Sequence, residues 1–331
     1  MHESLRGSKI AGTGHFCPER VLTNFDLEKM VDTSDEWILT RTGIRERRIA
    51  SREEATSDLA FAAARAALES AGIKPGDLDG IIVGTVCGDM MFPATSCLIQ
   101  DRLGASRAAA FDMNAACCGF IYGVNNAHAL ISARRMNVVL IVGVEVLSKL
   151  TDWSDRATCV LFGDGAGAVV MSPCEPGEGI LGTYMRSDGS LADLLHIPAG
   201  GTRQPTTMES VQRGDHFIKM KGDGVFKYAV RAMEDAAHQV LKQANVPLDE
   251  VDVFIPHQAN VRIIDAVQQR LRLPDEKVVV NLDRFGNTSS ATIPIAFDEA
   301  VRGGRVKKGN LVLLVAFGGG LTWGAVLFRY V

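Results

Sequence analysis

The chain has 331 residues, with 35 Lys and Arg against 39 Asp and Glu, a formal net charge of −4. Its 47% hydrophobic and 22% charged residues are the mixture of a folded globular protein, which excludes a disordered or fibrous chain, and the absence of a basic excess argues against a nucleic-acid binder. Apolar runs such as Val138 to Val144 fall far short of the ~20 residues that span a bilayer, and the opening MHESLRGSKIAGTG has no apolar signal core, so a soluble, cytoplasmic protein without a membrane segment is expected.

The length fits about two domains of ~150 residues, or one large one. Seven cysteines, an odd number without framework spacing, fit a reducing compartment. No CxxC occurs and no His lies near a Cys at ligand spacing, so no metal site is expected.

In chain order, residues 57–71 are Ala-rich, with Leu59, Ala63, Ala66 and Ala67 on one helical stripe. A turn and a buried strand, GIIVGTV, follow. Ala108–Met113 reads as a strand, and from Gly119 onward Phe120, Val124, Ala127 and Ile131 recur at helical spacing. Val138–Val144 is another buried strand, followed by the Gly-containing hairpin FGDGAGAVVM. Residues 196–222, rich in Gly, Pro and Thr, read as an inserted surface loop.

Beyond the loop, residues 230–244 form a helix that superposes on 57–71 at an offset of 173, pairing Ala63 with Ala236 and Leu68 with Leu241. The same offset lays the strand VFIP over GIIVGTV, and Leu311–Phe317 over Val138–Val144 with Val139/Val312, Leu140/Leu313 and Val142/Val315 identical. A second Gly-rich hairpin, 318–328, closes the series. Two α/β halves from an internal duplication follow, 1–173 and 174–331, each a mainly buried sheet flanked by helices. The glycines do not make a nucleotide site: Gly163, Gly165 and Gly167 lead into β-branched residues rather than a helix, and no GxxxxGK[ST] occurs.

Three sites end apolar runs with reactive residues. Cys117 lies at a strand-to-helix junction, where the helix dipole favours a thiolate and lowers its pKa, and free N–H groups can face an oxyanion. His257 follows the strand ending at Pro256, at a strand end of the kind that carries functional groups in α/β sheets. Asn287 follows Gly286 in a hydroxyl-rich loop before a helical stretch. A neutral His and an Asn amide can both donate to one thioester carbonyl, while Cys carries an acyl group. The residues alone reach as far as a candidate thiol acyl-transfer site on a duplicated α/β fold, with a buried structural thiol, a capping His and an ordinary Gly-Asn turn as the alternatives.

The segments TSDEWILTRTGIRERRIA (33–50), AFDMNAACCGF (110–120), FGDGAGA (162–168), PHQANVRII (256–264), GNTSSATIP (286–294) and AFGGGLTWGA (316–325) resemble β-ketoacyl-acyl-carrier-protein synthase III, of the thiolase-like condensing enzymes, essentially end to end. The resemblance implies a duplicated five-layer αβαβα sandwich, a homodimer, and decarboxylative condensation of a short acyl-CoA primer with malonyl-acyl-carrier protein to start fatty acid biosynthesis. A related acyl-CoA condensing or acyl-transfer enzyme of secondary metabolism is the alternative. Cys117 matches the nucleophile, His257 and Asn287 its catalytic partners, and Gly319 the glycine that shares the oxyanion hole with the Cys117 amide. Thr33, Trp37, Arg41, Arg156 and Asn260 match coenzyme A contacts, and Lys227 and Arg262 match basic positions that receive the carrier protein. Phe92, which in relatives reaches across the dimer, and Phe317 match the acyl pocket. Acyl-CoA and malonyl-carrier protein are then substrates, and no cofactor is implied. Cys118 departs from the small residue usual after the nucleophile, and the 196–222 loop borders the tunnel mouth.

Overall fold

The computed structural model describes residues 5–331; the first four residues of the opening stretch, where no signal core is read, lie outside the described residues. Five strands form one sheet: β1 Gly7–Phe16, β2 Gly80–Gly84, β3 Ala109–Met113, β4 Val139–Val146 and β5 Asp164–Cys174, in the order β1-β5-β4-β2-β3. Four strands form a second: β6 Ile180–Ser187, β7 Val253–Pro256, β8 Leu311–Gly318 and β9 Thr322–Arg329, in the order β7-β8-β9-β6. Each pairs a parallel couple (β2 with β4, β7 with β8) to antiparallel neighbours. The second order is the first without its β3 edge.

Six helices set the layers: α1 Asp35–Thr42, α2 Thr56–Ala71, α3 Gly119–Ser132, α4 Gly222–Ala244, α5 Val261–Leu271 and α6 Thr292–Arg302. Helix α2 covers the outer face of the first sheet, α3 and α6 lie between the sheets, and α4, flanked by α5, covers the outer face of the second. The result is the five-layer αβαβα sandwich. Strand periodicity explains it. Val139 and Ile141 of β4 face the central helices while Leu140, Val142 and Val144 face α2. In β8, Val312 and Leu314 face the centre while Leu313 and Val315 face α4. The offset of 173 keeps Val139/Val312 inward and Leu140/Leu313 outward.

Both central helices are apolar nearly all round: Phe120, Ile121 and Val124 of α3 and Ile293, Ala296 and Phe297 of α6 are at most 1% exposed. That is the signature of a helix covered on every side. Gly143 lets α6 approach the first sheet, since a Cβ there would sit 2.3 Å from the Ser290 carbonyl oxygen. No helix among the described residues is long and apolar enough to cross a membrane.

Two expectations change. Helix α4 starts at Gly222, eight residues before the predicted 230, because Val225 and Phe226 pack on the second sheet's outer core and override the glycine signal. The 196–222 segment is not plain loop. Leu195–His196 pairs with Lys219–Met220, and a short helix at Met208–Gln212 is capped by the Thr207 hydroxyl. Ile218 and Ile197 anchor it in a small apolar cluster with Leu147 and Phe162.

Candidate active site

Cys117 sits in a one-turn 3₁₀ segment, Ala116–Cys118, that runs straight into α3, after Ala116 turns the chain at φ 47°. The elbow is closed from the other half by Gly318 at the end of β8, where a Cβ would lie 2.7 Å from the Cys117 nitrogen. Only glycine admits that approach. Gly319, which the resemblance matches to the oxyanion hole, follows directly and lines the second cavity beside Cys117.

His257 is the first residue after β7. Its N–H donates to the Val315 carbonyl at 2.8 Å, which fixes its backbone on β8. Nδ1 meets Thr292 Oγ1 at 2.7 Å, leaving Nε2 for the cavity that His257 lines. The Thr292 hydroxyl also reaches the Ser289 carbonyl at 2.9 Å, so it has one proton for two acceptors. Donation to Ser289 puts the imidazole proton on Nδ1 and a lone pair on Nε2; rotation toward Nδ1 puts the proton on Nε2. One hydroxyl thus couples to the tautomer. Burial drives the His257 pKa down to about 3, so the ring is neutral.

Asn287 exchanges backbone hydrogen bonds with the first half: its N–H donates to Leu161 and its carbonyl accepts from Gly163. Its Oδ1 accepts from the Ser289 N–H at 2.8 Å, which turns the amide nitrogen away from that turn. Cys117, His257, Asn287 and Phe317 line one cavity of about 320 Å³. Trp37, Arg41, Asn260 and Arg262 line its outer part. A second cavity of about 380 Å³ shares Cys117, Phe162 and Leu195 with the first, and is walled by Val86, Leu147, Ile197, Ile218 and Gly319. The thiol therefore stands where two lobes meet. The apolar wall of the second lobe was not legible as a site, because its residues come from a strand end and from the 196–222 segment.

Burial pushes the Cys117 thiol up to about 12; a Ser289 hydrogen bond opposes the rise and the Glu145 carboxylate adds to it. Burial thus works against the lowering expected at a helix N-terminus, because it penalises the charged thiolate. Cys118 is fully buried against the Thr322 carbonyl in the central core and lines neither lobe.

At the outer opening the Arg156 guanidinium lies 4.9 Å over the Trp37 ring, and Arg41 5.8 Å from it. The Asn260 side chain caps α5 at Arg262 and donates to the Arg41 carbonyl at 3.1 Å. The buried Thr33 hydroxyl has no hydrogen-bond partner among the described residues. Lys227 is exposed on α4 beside Phe226, over which Arg262 lies at 5.6 Å. Phe92 is the exception: it is 85% exposed, with Met91 at 83%, and reaches neither lobe.

Two family models match the chain: 3-oxoacyl-(acyl-carrier-protein) synthase III over residues 111–189, and the C-terminal part of the same synthase over residues 241–330. The β-ketoacyl-(acyl-carrier-protein) synthase III of Caldanaerobacter subterraneus subsp. tengcongensis is 54% identical over 97% of both chains. That of Symbiobacterium thermophilum is 54% identical over 98% of this chain and 99% of its own. The crystal structure of 3-oxoacyl-(acyl-carrier-protein) synthase III from Aquifex aeolicus superposes with a TM-score of 0.91 at 52% identity, over 98% of this chain and all of that one. This agreement favours fatty acid initiation over the secondary-metabolism alternative. The chain belongs to the β-ketoacyl-(acyl-carrier-protein) synthase III family of thiolase-like acyltransferases, the condensing enzymes that initiate fatty acid biosynthesis.

Proposed function

We propose that Cys117, His257 and Asn287 carry the condensation by a ping-pong route, with a short acyl-CoA as primer and malonyl-acyl-carrier protein as extender. The observation that carries this reading is the meeting of three residues from three distant segments on one cavity. Cys117 attacks the acyl thioester and releases CoA. His257 Nε2–H, with Thr292 turned toward Nδ1, and the Asn287 amide donate to the malonyl thioester carbonyl. They stabilise the enolate formed as carbon dioxide leaves. The carbanion attacks the acyl-Cys117 carbonyl, whose oxyanion meets the Cys117 and Gly319 amides. No cofactor takes part.

The outer opening suits the nucleotide end of coenzyme A. Arg156 and Trp37 offer a cation and a ring to an adenine, with Thr33, Arg41 and Asn260 beside them. Lys227 and Arg262 supply the basic rim for an acidic carrier protein. The primer's acyl chain extends into the second lobe past Leu147 and Ile218. A homodimer is supported by the uncovered edge strand β3, whose Phe111 is 37% exposed, and by the exposed Met91 and Phe92. Phe92 would then enter the partner's acyl pocket rather than its own. The seven free thiols suit the cytoplasm.

Intact-mass measurement after mixing with acetyl-CoA and with branched or longer acyl-CoAs tests the reading. A single acyl adduct on Cys117, discharged by malonyl-carrier protein to a 3-oxoacyl product, is expected. An adduct on another cysteine, or no 3-oxoacyl product, would sink it.

A further inference from the structure

Glu145 is fully buried in β4, close to the nucleophile, and the condensation as described gives it no task. Four groups hold it. Thr85 Oγ1 donates to Oε2 at 3.0 Å, the Val86 N–H at 3.1 Å, the Cys87 thiol at 2.8 Å, and the Ser289 hydroxyl reaches Oε1 at 3.1 Å. Cys87 is itself held by the Val146 N–H at 3.0 Å. Among the described residues no cation pairs with the carboxylate, an arrangement that costs stability.

Ser289 joins this cluster to the site. It turns the chain at φ 51°, a conformation side chains rarely adopt, and its N–H is tied to Asn287 Oδ1. Ser289 and Cys117 line the second lobe together, and the Ser289 hydroxyl opposes the rise that burial imposes on the thiol. The hydroxyl is therefore set between the nucleophilic sulfur and the carboxylate, able to accept from one and donate to the other.

We propose that Cys117 is activated by a proton relay through Ser289 to Glu145. The Cys117 S–H bond breaks as its proton passes to Ser289 Oγ, and the proton Ser289 held passes to Glu145 Oε1. The negative charge moves from the carboxylate to the sulfur, and the site's net charge is unchanged. The thiolate then forms the C–S bond to the acyl carbon while the leaving thiolate departs. Glu145 returns its proton through Ser289 to that leaving sulfur. This last step rests on the acyl-thioester reading above; the activation of the thiol does not.

The alternative acceptor is His257. Its neutral ring is held near 3, far below what a thiol proton requires, whereas burial raises Glu145 to about 7. The titratable groups facing Glu145 are Cys87 and Cys117, both raised by burial. Their thiols stay protonated through the range in which the carboxyl titrates.

The test uses the whole protein and iodoacetamide, which needs no acyl substrate. Alkylation of Cys117, located by peptide mass spectrometry, is followed from pH 5 to 9 in wild type, Glu145→Gln, Glu145→Asp, Ser289→Ala and His257→Gln. Wild type should show a near-neutral inflection. Glu145→Gln and Ser289→Ala should lose it and react ~10-fold more slowly at neutral pH. Glu145→Asp should recover part of the rate, and His257→Gln, with condensation lost, should keep the inflection. If Glu145→Gln does not fold, Ser289→Ala decides alone. An unchanged rate and profile in Ser289→Ala, or an inflection that vanishes with His257, overturns the relay. A wild type that alkylates as stated but takes no acyl group from acyl-CoA overturns the substrate reading and leaves the relay standing.

Discussion

At Ala116 the chain turns at φ 47° before entering α3, and 173 residues later, at Ser289, it turns at φ 51° before entering α6. The flanking residues match: Asn114 stands at the same offset from Asn287, Cys117 from Ser290, Gly119 from Thr292. The chemistry differs. In the first elbow the residue after the turn is a thiol at the junction of two cavities. In the second it is a serine whose hydroxyl is packed among Gly84, Gly119 and Gly143 with no hydrogen-bond partner among the described residues. There the neighbours do the chemical positioning: Asn287 lines the site, Ser289 lines the second lobe with the thiol, and Thr292 holds His257. One backbone device thus presents a nucleophile once and the groups that serve it once.

The sharpest break in this comparison is at the nucleophile. Cys117→Ala should abolish the acyl adduct and lower condensation ~10³-fold or more, while Cys118→Ala keeps the adduct, as read by intact mass. Next is the Asn pair. Asn287→Ala should cut condensation ~10²–10³-fold, the size of a lost transition-state donor, yet still acylate. Asn114→Ala, on the other lobe, should stay within ~10-fold. Equal losses in a malonyl-carrier-protein assay would erase the asymmetry between the elbows.

The contact between the halves is tested at Gly143. A Cβ there meets the Ser290 carbonyl at 2.3 Å, with backbone on both sides unable to yield. Gly143→Ala should cost about 3 kcal/mol, the upper part of the overpacking range, and show as a lower thermal midpoint. Gly72→Ala makes a useful contrast: its added Cβ meets no atom within 4 Å, so its cost comes only from φ 65°.

Two buried groups bend stability with pH in opposite senses. The His257 pKa falls from 6.5 to about 3 on folding, so the unfolded chain binds the extra proton. Stability is full above 6.5 and is lost as pH drops toward 3. The Glu145 pKa rises from 4.5 to about 7, so the folded chain binds the extra proton there. Its contribution is full below 4.5 and is lost as pH rises through 7. Denaturant melts across pH 4–8 should show His257→Gln flattening the acid limb and Glu145→Gln the neutral one. The same limb flattened by both would contradict these assignments.

The duplicated fold was legible because β4 and β8 repeat their apolar pattern at a fixed offset, and Cys117, His257 and Asn287 each end an apolar run. Glu145, Ser289 and Thr292 were not. Glu145 reads as an ordinary polar residue within VEVLS, and only the approach of β4 to the Asn287 loop gives it partners. Ser289 and Thr292 look like the N-cap hydroxyls of any Gly-Asn turn. Their roles come from a left-handed turn that no local pattern announces. Gly318 and Gly319 are neighbours in one run, and only tertiary packing brings Gly318 against the Cys117 nitrogen and Gly319 to the second lobe.

The smallest effect is expected at Ser290, the residue that matches Cys117. Its hydroxyl is buried among glycines without a partner, so removing it relieves an unmet polar group at the cost of a few van der Waals contacts. Ser290→Ala should change stability by no more than about 1 kcal/mol in either direction and leave acylation unchanged. Ser290→Val, by contrast, would drive two methyl groups into Gly84 and Gly119 and should unfold readily. Should Ser290→Ala slow the alkylation of Cys117 as Ser289→Ala is expected to, the second elbow would be acting through residue 290, and its two serines would have to exchange roles.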